Sequence, residues 1–289
     1  MTDILRVGVV GCGLMGAGIA EICARAGLDV IVHERDADAA QAGRSRITAS
    51  LDRAVQRGTL PGGERDGALA RLRVTTDLQD LADRDAVMEA ATEDERVKAG
   101  LFADLDRIVL RHDAILASNT SSLPIMTLGT ATTRPHQVIG VHFFNPVPVL
   151  ELVELVPSLL TSPETLSRAE YFAASVLGKH VIRSQDRAGF VVNALLVPYL
   201  LSAIRMLESG HASAKDIDTG MVLGCAHPMG PLSLADLIGL DTLAAIAGAM
   251  YEEYKDPQHA APPLLLRMVG AGLLGRKSGR GFHEYAAHP

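Results

Sequence analysis

The sequence contains no tryptophan, and only 4% of its 289 residues are aromatic. A hydrophobic interior must therefore be built mostly from Ala, Leu and Val, and a hydrophobic content of 48% supplies enough of them for two domains. No segment offers the run of about 18 apolar residues that a membrane-spanning helix needs. The first residues form a short apolar strand followed at once by glycines, unlike a signal peptide. We therefore expect a cytoplasmic chain with no membrane association.

Cysteine and positive charge are also scarce. The chain has three cysteines, Cys12, Cys23 and Cys225, widely spaced and with no Cys-x-x-Cys pair, so we interpret them as reduced, apolar side chains. No metal site is predicted. The net charge of −7 and the pI of about 5.8 exclude a broad basic surface, which argues against nucleic acid or an acidic membrane as a partner.

Two patterns of hydrophobic residues divide the chain. In the first part, short apolar runs typical of buried strands alternate with helical patterns. The predicted strands are 4–10, 29–33, 73–75, 86–90, 114–117 and 138–141, and the predicted helices are 14–26, 37–57 and 97–109. After residue 184 only helical patterns follow: 190–208, 214–223, 232–238, 242–254 and 264–269. We predict an α/β Rossmann-type, doubly wound parallel sheet in residues 1–184, followed by an all-α C-terminal domain in residues 185–289. Because the second domain is small and apolar, we expect a homodimer through its helices.

A glycine-rich loop follows the first strand. Gly11 permits a tight turn, Gly13 lets the backbone approach a pyrophosphate, and Gly16 allows a helix to pack closely on the strand. The N-terminus of the following helix, where free N–H groups favour an anion, would receive the phosphates. Leu14 and Met15 lie between these glycines, so we assign them to the same cofactor site.

The second strand ends at an acidic residue, Glu34, 18 residues after Gly16 and at the expected distance from such a loop. Its carboxylate can accept hydrogen bonds from both ribose hydroxyls and would repel a 2′-phosphate. The sequence therefore favours NAD as cofactor and makes NADP less favourable. Arg35 follows directly and could soften this preference, although the pattern equally fits a solvated surface charge.

The most informative segment is residues 140–148, GVHFFNPVP. His142 ends an apolar strand, the position at which α/β proteins carry their chemistry. Histidine is also the side chain best suited to proton transfer near neutral pH. Glu154 follows in an alternating run, where it is either the partner of this histidine or part of a solvated strand face.

Seven motifs, spread over nearly the whole chain, together resemble those of a known enzyme family. They are residues 11–20 (GCGLMGAGIA), 118–123 (SNTSSL), 140–148 (GVHFFNPVP), 189–193 (GFVVN), 227–231 (HPMGP), 236–241 (DLIGLD) and 275–282 (GRKSGRGF). In this order they resemble the L-3-hydroxyacyl-CoA dehydrogenase family, close to its short bacterial 3-hydroxybutyryl-CoA dehydrogenases. The resemblance implies NAD-dependent interconversion of an (S)-3-hydroxyacyl-CoA and a 3-oxoacyl-CoA.

The resemblance also implies four catalytic residues. His142 is the general acid/base and Glu154 the carboxylate that orients it, while Ser121 and Asn193 would hydrogen-bond the reacting oxygen. Two alternatives stay open from the residues alone. Ser121 could instead cap a helix beginning near Leu123, and Asn193 could make only a structural hydrogen bond.

Further residues are assigned to the ligands by the same resemblance. Glu93, Lys98 and Asn145 fall on the cofactor side. Asp94 stands where the family usually has Asn, and Glu34 stands for a more common Asp.

Two arginines are candidates for binding coenzyme A. Arg53 and Arg57 are four residues apart on one predicted helix, where they could contact its phosphates or form a solvated face. A hydroxyacyl group tethered to an acyl carrier protein, or a sugar acid such as gulonate, remains an alternative substrate. A non-enzymatic binding or structural protein is disfavoured because the four catalytic residues are all present. A hydroxyacid dehydrogenase that uses a lysine as its acid/base is disfavoured because residues 190–201 contain no Lys.

Overall fold

The computed structural model of the chain describes residues 4–285, so the outermost ends of both predicted domains, residues 1–3 and 286–289, lie outside the described part. The chain forms two compact units, Met1–Asp186 and Arg187–Pro289. The strands are β1 Arg6–Val10, β2 Asp29–His33, β3 Leu72–Thr75, β4 Ala86–Glu89, β5 Ile115–Ser118, β6 Val138–Phe143, β7 Leu152–Val156 and β8 His180–Arg183. The helices are α1 Leu14–Arg25, α2 Ala37–Gln56, α3 Gly62–Ala70, α4 Glu95–Ile108, α5 Ile125–Thr130, α6 Pro163–Tyr171, α7 Val192–Glu208, α8 Ala214–Cys225, α9 Pro231–Ile238, α10 Leu240–Tyr254 and α11 Pro263–Gly270.

The first unit contains one eight-stranded sheet with the order β3-β2-β1-β4-β5-β6-β7-β8. The strands from β3 through β6 are mutually parallel, and the central ones are buried along nearly their whole length. Such continuous burial explains why they appear in the sequence as uninterrupted apolar runs. The chain order reverses beside β1, which is the topological switch point of a doubly wound sheet. The predicted fold class is confirmed.

Strand β7 departs from the predicted parallel sheet, because it runs antiparallel to β6. Only residues 144–151 join the two strands, whereas a parallel return needs a crossover of about a dozen residues or more. The register pairs His142 with Glu154 directly across the two strands. The short connection therefore decides which carboxylate meets the histidine.

Helices α3 and α6 were not predicted from the sequence. Both are only nine residues long, so each repeats its helical pattern for little more than two turns. Ser162 caps α6 by accepting a hydrogen bond from the Thr165 backbone N–H, at 3.1 Å. The predicted helix 190–208 begins two residues late, at Val192, because Gly189 and Phe190 have positive φ angles that a right-handed helix excludes.

The second unit is helical, as predicted, and packs α7 and α10 around a core that includes Leu200, Ile204, Leu243 and Met250. Two buried aspartates join its helices to the final segment. Asp236 of α9 accepts hydrogen bonds from the Phe282 and His283 backbone N–H groups, both at 2.9 Å. Asp218 of α8 contacts the His283 ring at 2.8 Å.

Within residues 4–285, no single helix combines the length and apolar character needed to cross a membrane. The pair α9 and α10 meets those criteria only when taken together, and it is bent by 95°.

The cysteines differ sharply in accessibility, which gives a simple test of the fold. Cys12 and Cys23 are buried, and burial raises the pKa of each thiol to about 12, whereas Cys225 is exposed. We expect the native protein to release one equivalent of chromophore with a thiol-disulfide reagent at pH 8, and three in denaturant. The Cys225→Ser variant should show no fast reaction, and rapid release from it would contradict the packing of the glycine loop.

Candidate active site

The candidate site lies in the first unit, at the carboxyl ends of parallel strands. Gly11 follows β1, Glu34 follows β2 and Asn119 follows β5. His142 is the next-to-last residue of β6. Because parallel strands end at one edge of a sheet, these residues share that edge. The switch point beside β1 separates the Glu34 side from the His142 side.

The glycine loop has the geometry that the sequence predicts at each of its three glycines. Gly11 has a φ of +90°, and a Cβ there would lie 2.8 Å from the Ala90 carbonyl oxygen. A Cβ on Gly16 would lie 1.9 Å from the Gly11 carbonyl oxygen, so no larger residue fits without moving the loop. At Gly13, in contrast, a Cβ would meet open space among the described residues. This opening, at the start of α1, is a cradle that an anionic group can fill.

No side chain in the described part of the chain caps helix α1, and no acidic residue lies in its first turn. The N-terminus therefore keeps its attraction for a negative charge. Leu14 is largely exposed there, Met15 is half-buried and Gly16 is buried. These observations fit the pyrophosphate of a dinucleotide.

Glu34 lies beside this loop and is half-buried. Its Oε1 accepts a hydrogen bond of 2.6 Å from the Cys12 backbone N–H, and its Oε2 accepts one of 3.2 Å from the Arg35 backbone N–H. On the other side of the same loop residue, Arg46 donates a 2.5 Å hydrogen bond to the Cys12 carbonyl oxygen. The side chain of Arg35 points to solvent and pairs with Asp36. Glu34 is thus held against the glycine loop.

The histidine and its carboxylate form a buried pair. His142 Nδ1 lies 2.7 Å from Glu154 Oε2, and the two residues are 6% and 0% exposed. The position of Glu154 excludes the solvated strand face that the sequence left open. Phe144 contacts the imidazole edge to face, with ring centroids 4.6 Å apart. The contact with Glu154 holds the imidazole ring through Nδ1.

The loop after β5 is joined to the histidine strand. Asn119 Oδ1 accepts a hydrogen bond of 2.9 Å from the backbone N–H of Phe143, the residue after His142. Two residues beyond Asn119, the half-buried Ser121 donates its backbone N–H to Glu93 Oε1 at 3.1 Å. The structure therefore places Glu93, Ser121 and His142 at or just beyond the carboxyl ends of the neighbouring strands β4, β5 and β6.

Ser121 does not act as a helix cap. Helix α5 begins at Ile125, and the Asp186 carboxylate accepts the Ile125 and Met126 backbone N–H groups, each at 2.8 Å. Thr120 Oγ1 accepts the Leu123 backbone N–H at 3.0 Å. The alternative role considered for Ser121 is filled by other residues.

One buried residue of this region was not singled out from the sequence. Glu89, the last residue of β4, is 0% exposed and contacts Lys98 Nζ through both oxygens, at 2.7 and 2.9 Å. Lys98 is 1% exposed and also lies 3.1 Å from Glu93 Oε2. A glutamate at the end of an apolar strand, nine residues before a lysine in an amphipathic helix, was the available signal.

The other assigned residues belong to other elements of the chain. Asn145 is exposed just after β6, and Asn193 is half-buried in the first turn of α7, in the second unit. Arg53 is exposed in the last turn of α2, and Arg57, also exposed, follows that helix directly. Asp94, found where Asn is usual, caps α4 through a 3.0 Å hydrogen bond from the Val97 backbone N–H.

Among residues 4–285, no three His, Cys, Asp or Glu side chains are grouped as metal ligands would be. The glycine loop and the uncapped N-terminus of α1 fit a dinucleotide.

Comparison with known proteins supports this interpretation. The model of the 3-hydroxyacyl-CoA dehydrogenase NAD binding domain matches residues 6–187, and that of the C-terminal domain of the same family matches residues 189–285. A 3-hydroxybutyryl-CoA dehydrogenase of Mycobacterium tuberculosis is 60% identical over 286 residues, covering 99% of this chain and 100% of the relative.

Solved structures agree over the same length. The crystal structure of M. tuberculosis FadB2 superposes with a TM-score of 0.98 at 60% identity, covering 99% of this chain and 100% of that one. That of (S)-3-hydroxybutyryl-CoA dehydrogenase from Ralstonia eutropha gives a TM-score of 0.92 at 44% identity, covering 98% and 100%. With its glycine loop, its buried histidine–glutamate pair and its helical second unit, the chain belongs to the 3-hydroxyacyl-CoA dehydrogenase family of oxidoreductases.

Proposed function

We propose that the protein is an NAD-dependent dehydrogenase that interconverts (S)-3-hydroxyacyl-CoA, in particular 3-hydroxybutyryl-CoA, and the 3-oxoacyl-CoA. The observation that carries the proposal is the buried 2.7 Å contact between His142 and Glu154 at the edge that also bears the glycine loop. The names of the relatives support the substrate class.

His142 supplies the proton-transfer group of this proposal. With Nδ1 held by Glu154, Nε2 takes the hydroxyl proton in oxidation and returns it in reduction. The Glu154 carboxylate, fully buried, stabilises the positive charge that forms on the ring when the proton arrives. The T-shaped contact with Phe144 restricts rotation of the imidazole.

The residues that would hold NAD are Gly11, Gly13 and Gly16 at the pyrophosphate and Glu34 at the adenosine ribose. When bound, NAD supplies the acceptor for the hydride that leaves the substrate carbon. The open cradle at Gly13 and the uncapped α1 support this assignment, and the carboxylate of Glu34 favours NAD over NADP. We assign Glu93 and Asn145 to the nicotinamide side by resemblance, and Lys98 to holding Glu93.

Ser121 and Asn193 are proposed to hydrogen-bond the substrate oxygen as negative charge develops on it. Each such donor typically lowers a barrier by about 2–4 kcal/mol. Arg53 and Arg57, both exposed at the end of α2, are proposed to bind the phosphates of coenzyme A.

We further propose a cytoplasmic homodimer joined through the helical unit. The surface of the helical unit exposes Leu195, Leu223 and Leu266, apolar side chains that a partner subunit would cover.

The function is tested by following NADH oxidation with three 3-oxo substrates: acetoacetyl-CoA, acetoacetyl carrier protein and the 3-oxo form of gulonate. We expect kcat/KM for acetoacetyl-CoA to exceed the values for the other two substrates at least tenfold. The double variant Arg53→Ala/Arg57→Ala should raise the KM for acetoacetyl-CoA by about tenfold, because contacts with the phosphates are lost. The double variant should leave kcat for acetoacetyl-N-acetylcysteamine, which lacks those phosphates, unchanged. Preference for the carrier protein or the sugar acid would refute the CoA assignment.

A further inference from the structure

A buried charge cluster lies where β4, β5 and α4 meet. Both Glu89 oxygens are occupied: Lys98 Nζ contacts each of them, Ser118 Oγ donates at 2.6 Å, and the Ala91 backbone N–H donates at 2.7 Å. Glu89 and Lys98 are 0% and 1% exposed. Every polar atom of the Glu89 carboxylate is thus satisfied inside the protein.

Such a pair is an inefficient way to stabilise a fold. Removing two charges from water costs free energy that their attraction repays only with excellent geometry, and an apolar pair of similar volume often serves equally well. The presence of a fully buried ion pair beside the candidate site therefore calls for a role other than stability.

Glu93 connects the buried pair to the loop after β5 that carries Ser121. Its Oε2 lies 3.1 Å from Lys98 Nζ, and its Oε1 accepts hydrogen bonds from Thr120 Oγ1 and, at 3.1 Å, from the Ser121 backbone N–H. The Glu93 side chain is 36% exposed, so it is the member of the cluster that reaches the open edge of the sheet.

The charges of the cluster do not cancel. Glu89 and Glu93 are two carboxylates, and Lys98 is their one ammonium group, which leaves a net charge of −1. Burial favours a neutral Glu93, but the Lys98 ammonium and the hydrogen bonds from Thr120 and Ser121 outweigh it and hold the pKa of Glu93 below its ordinary value. The excess negative charge therefore persists at neutral pH.

We propose that Glu89 is a positioning residue that sets the charge of the cofactor site. By neutralising Lys98 inside the protein, it leaves the negative charge of Glu93 uncompensated at the sheet edge, where that charge favours the oxidised over the reduced nicotinamide.

The sheet order explains why we assign Glu93 to the nicotinamide half of the cofactor and not to the adenosine half. Glu34, proposed to bind the adenosine ribose, follows β2 on one side of the switch point, whereas Glu93 and Ser121 follow β4 and β5 on the other. A dinucleotide spans that point with one nucleotide on each side. The oxidised nicotinamide ring is a cation and the reduced ring is neutral, so a nearby fixed anion discriminates between them. The inference rests on the proposed use of NAD.

The test measures binding rather than turnover. The dissociation constant of NADH is taken from the change in its fluorescence on binding, and that of NAD⁺ from its displacement of NADH. The informative quantity is the ratio of the NADH constant to the NAD⁺ constant. Because a fixed unit charge near a partly solvated cation is worth about a factor of ten, we expect Glu93→Gln and Glu89→Gln each to lower the ratio by about five- to tenfold.

Two further variants separate charge from structure. The double variant Glu89→Gln/Lys98→Met removes both members of the pair and keeps the net charge of −1, so the ratio should return to within about twofold of the original. This variant also avoids a buried ammonium left with Glu93 as its one carboxylate partner, which could prevent Glu89→Gln from folding. Glu95→Gln, an exposed charge change on the first turn of α4, should leave the ratio unchanged.

The outcomes are distinct. If the double variant keeps the lowered ratio, or if Glu89→Gln leaves it unchanged while Glu93→Gln lowers it, Glu89 has only a structural role and the inference is wrong. If Glu93→Gln itself has no effect on the ratio although both nucleotides bind, the inference also fails while the proposed function stands. Absence of binding of either nucleotide to the unmodified protein would instead refute the proposed function.

Discussion

The His142→Ala variant is expected to lose about 10³-fold in kcat for acetoacetyl-CoA reduction, with the KM for the thioester changed by less than about threefold. The imidazole contributes proton transfer, which matters only in the transition state, so its removal should affect kcat rather than ground-state binding. His142 lies on a buried strand, and its loss also leaves the Glu154 carboxylate buried without this partner contact. The measurement is steady-state kinetics beside a thermal unfolding curve.

A matched variant separates catalysis from folding. Glu154→Gln keeps the volume and retains a hydrogen-bonding oxygen for His142 Nδ1, but it removes the charge that stabilises the protonated ring. We expect it to lower kcat by about 10²-fold while the folded structure is retained. Full activity of His142→Ala would overturn the proposed mechanism. Equal losses of activity and of folded protein would show that the pair is only structural.

The second large effect is expected at Gly16. A Cβ at this position would lie 1.9 Å from the Gly11 carbonyl oxygen, a backbone atom that cannot move without opening the glycine loop. We expect Gly16→Ala to destabilise the protein by about 1–3 kcal/mol, as overpacking typically does, and to weaken NADH binding by at least about 100-fold. Binding is measured by NADH fluorescence and stability by urea unfolding.

Gly13→Ala is the control for this prediction. Its Cβ would meet no described atom within 4 Å, and the φ of −64° suits any residue. The variant should therefore keep its stability within about 0.5 kcal/mol, yet bind NADH more weakly because the methyl group enters the proposed phosphate cradle. If Gly13→Ala binds NADH normally, the pyrophosphate does not lie at the N-terminus of α1.

The sequence predicts the elements of the candidate site that depend on short segments of the chain. The glycine spacing, the acid at the end of β2 and the buried strand before His142 are local patterns with local physical causes, and the structure has the corresponding elements. The boundaries of α2 and α7 were predicted to within two residues. Short helices such as α3 were missed, because nine residues give little helical signal.

The pairing of β6 with β7 could not be predicted in the same way. An alternating run such as residues 151–156 fits an exposed strand or a buried one, and a parallel or an antiparallel neighbour. The eight-residue connection decides the antiparallel direction, and the hydrogen-bond register then sets Glu154 opposite His142. The choice depends on contacts between strands, which hydrophobic periodicity along one strand does not report.

The sequence by itself determined a Rossmann-type unit followed by helices, a dinucleotide loop and a histidine at a strand end, because each depends on residues close together in the chain. Tertiary structure alone decided that Glu154 is fully buried against His142 and that Asn119 ties the Ser121 loop to the histidine strand. It also decided that Glu89 and Lys98 form a buried pair behind Glu93. These arrangements join residues on different elements, and the free energy that selects them comes from burial and hydrogen bonding between those elements.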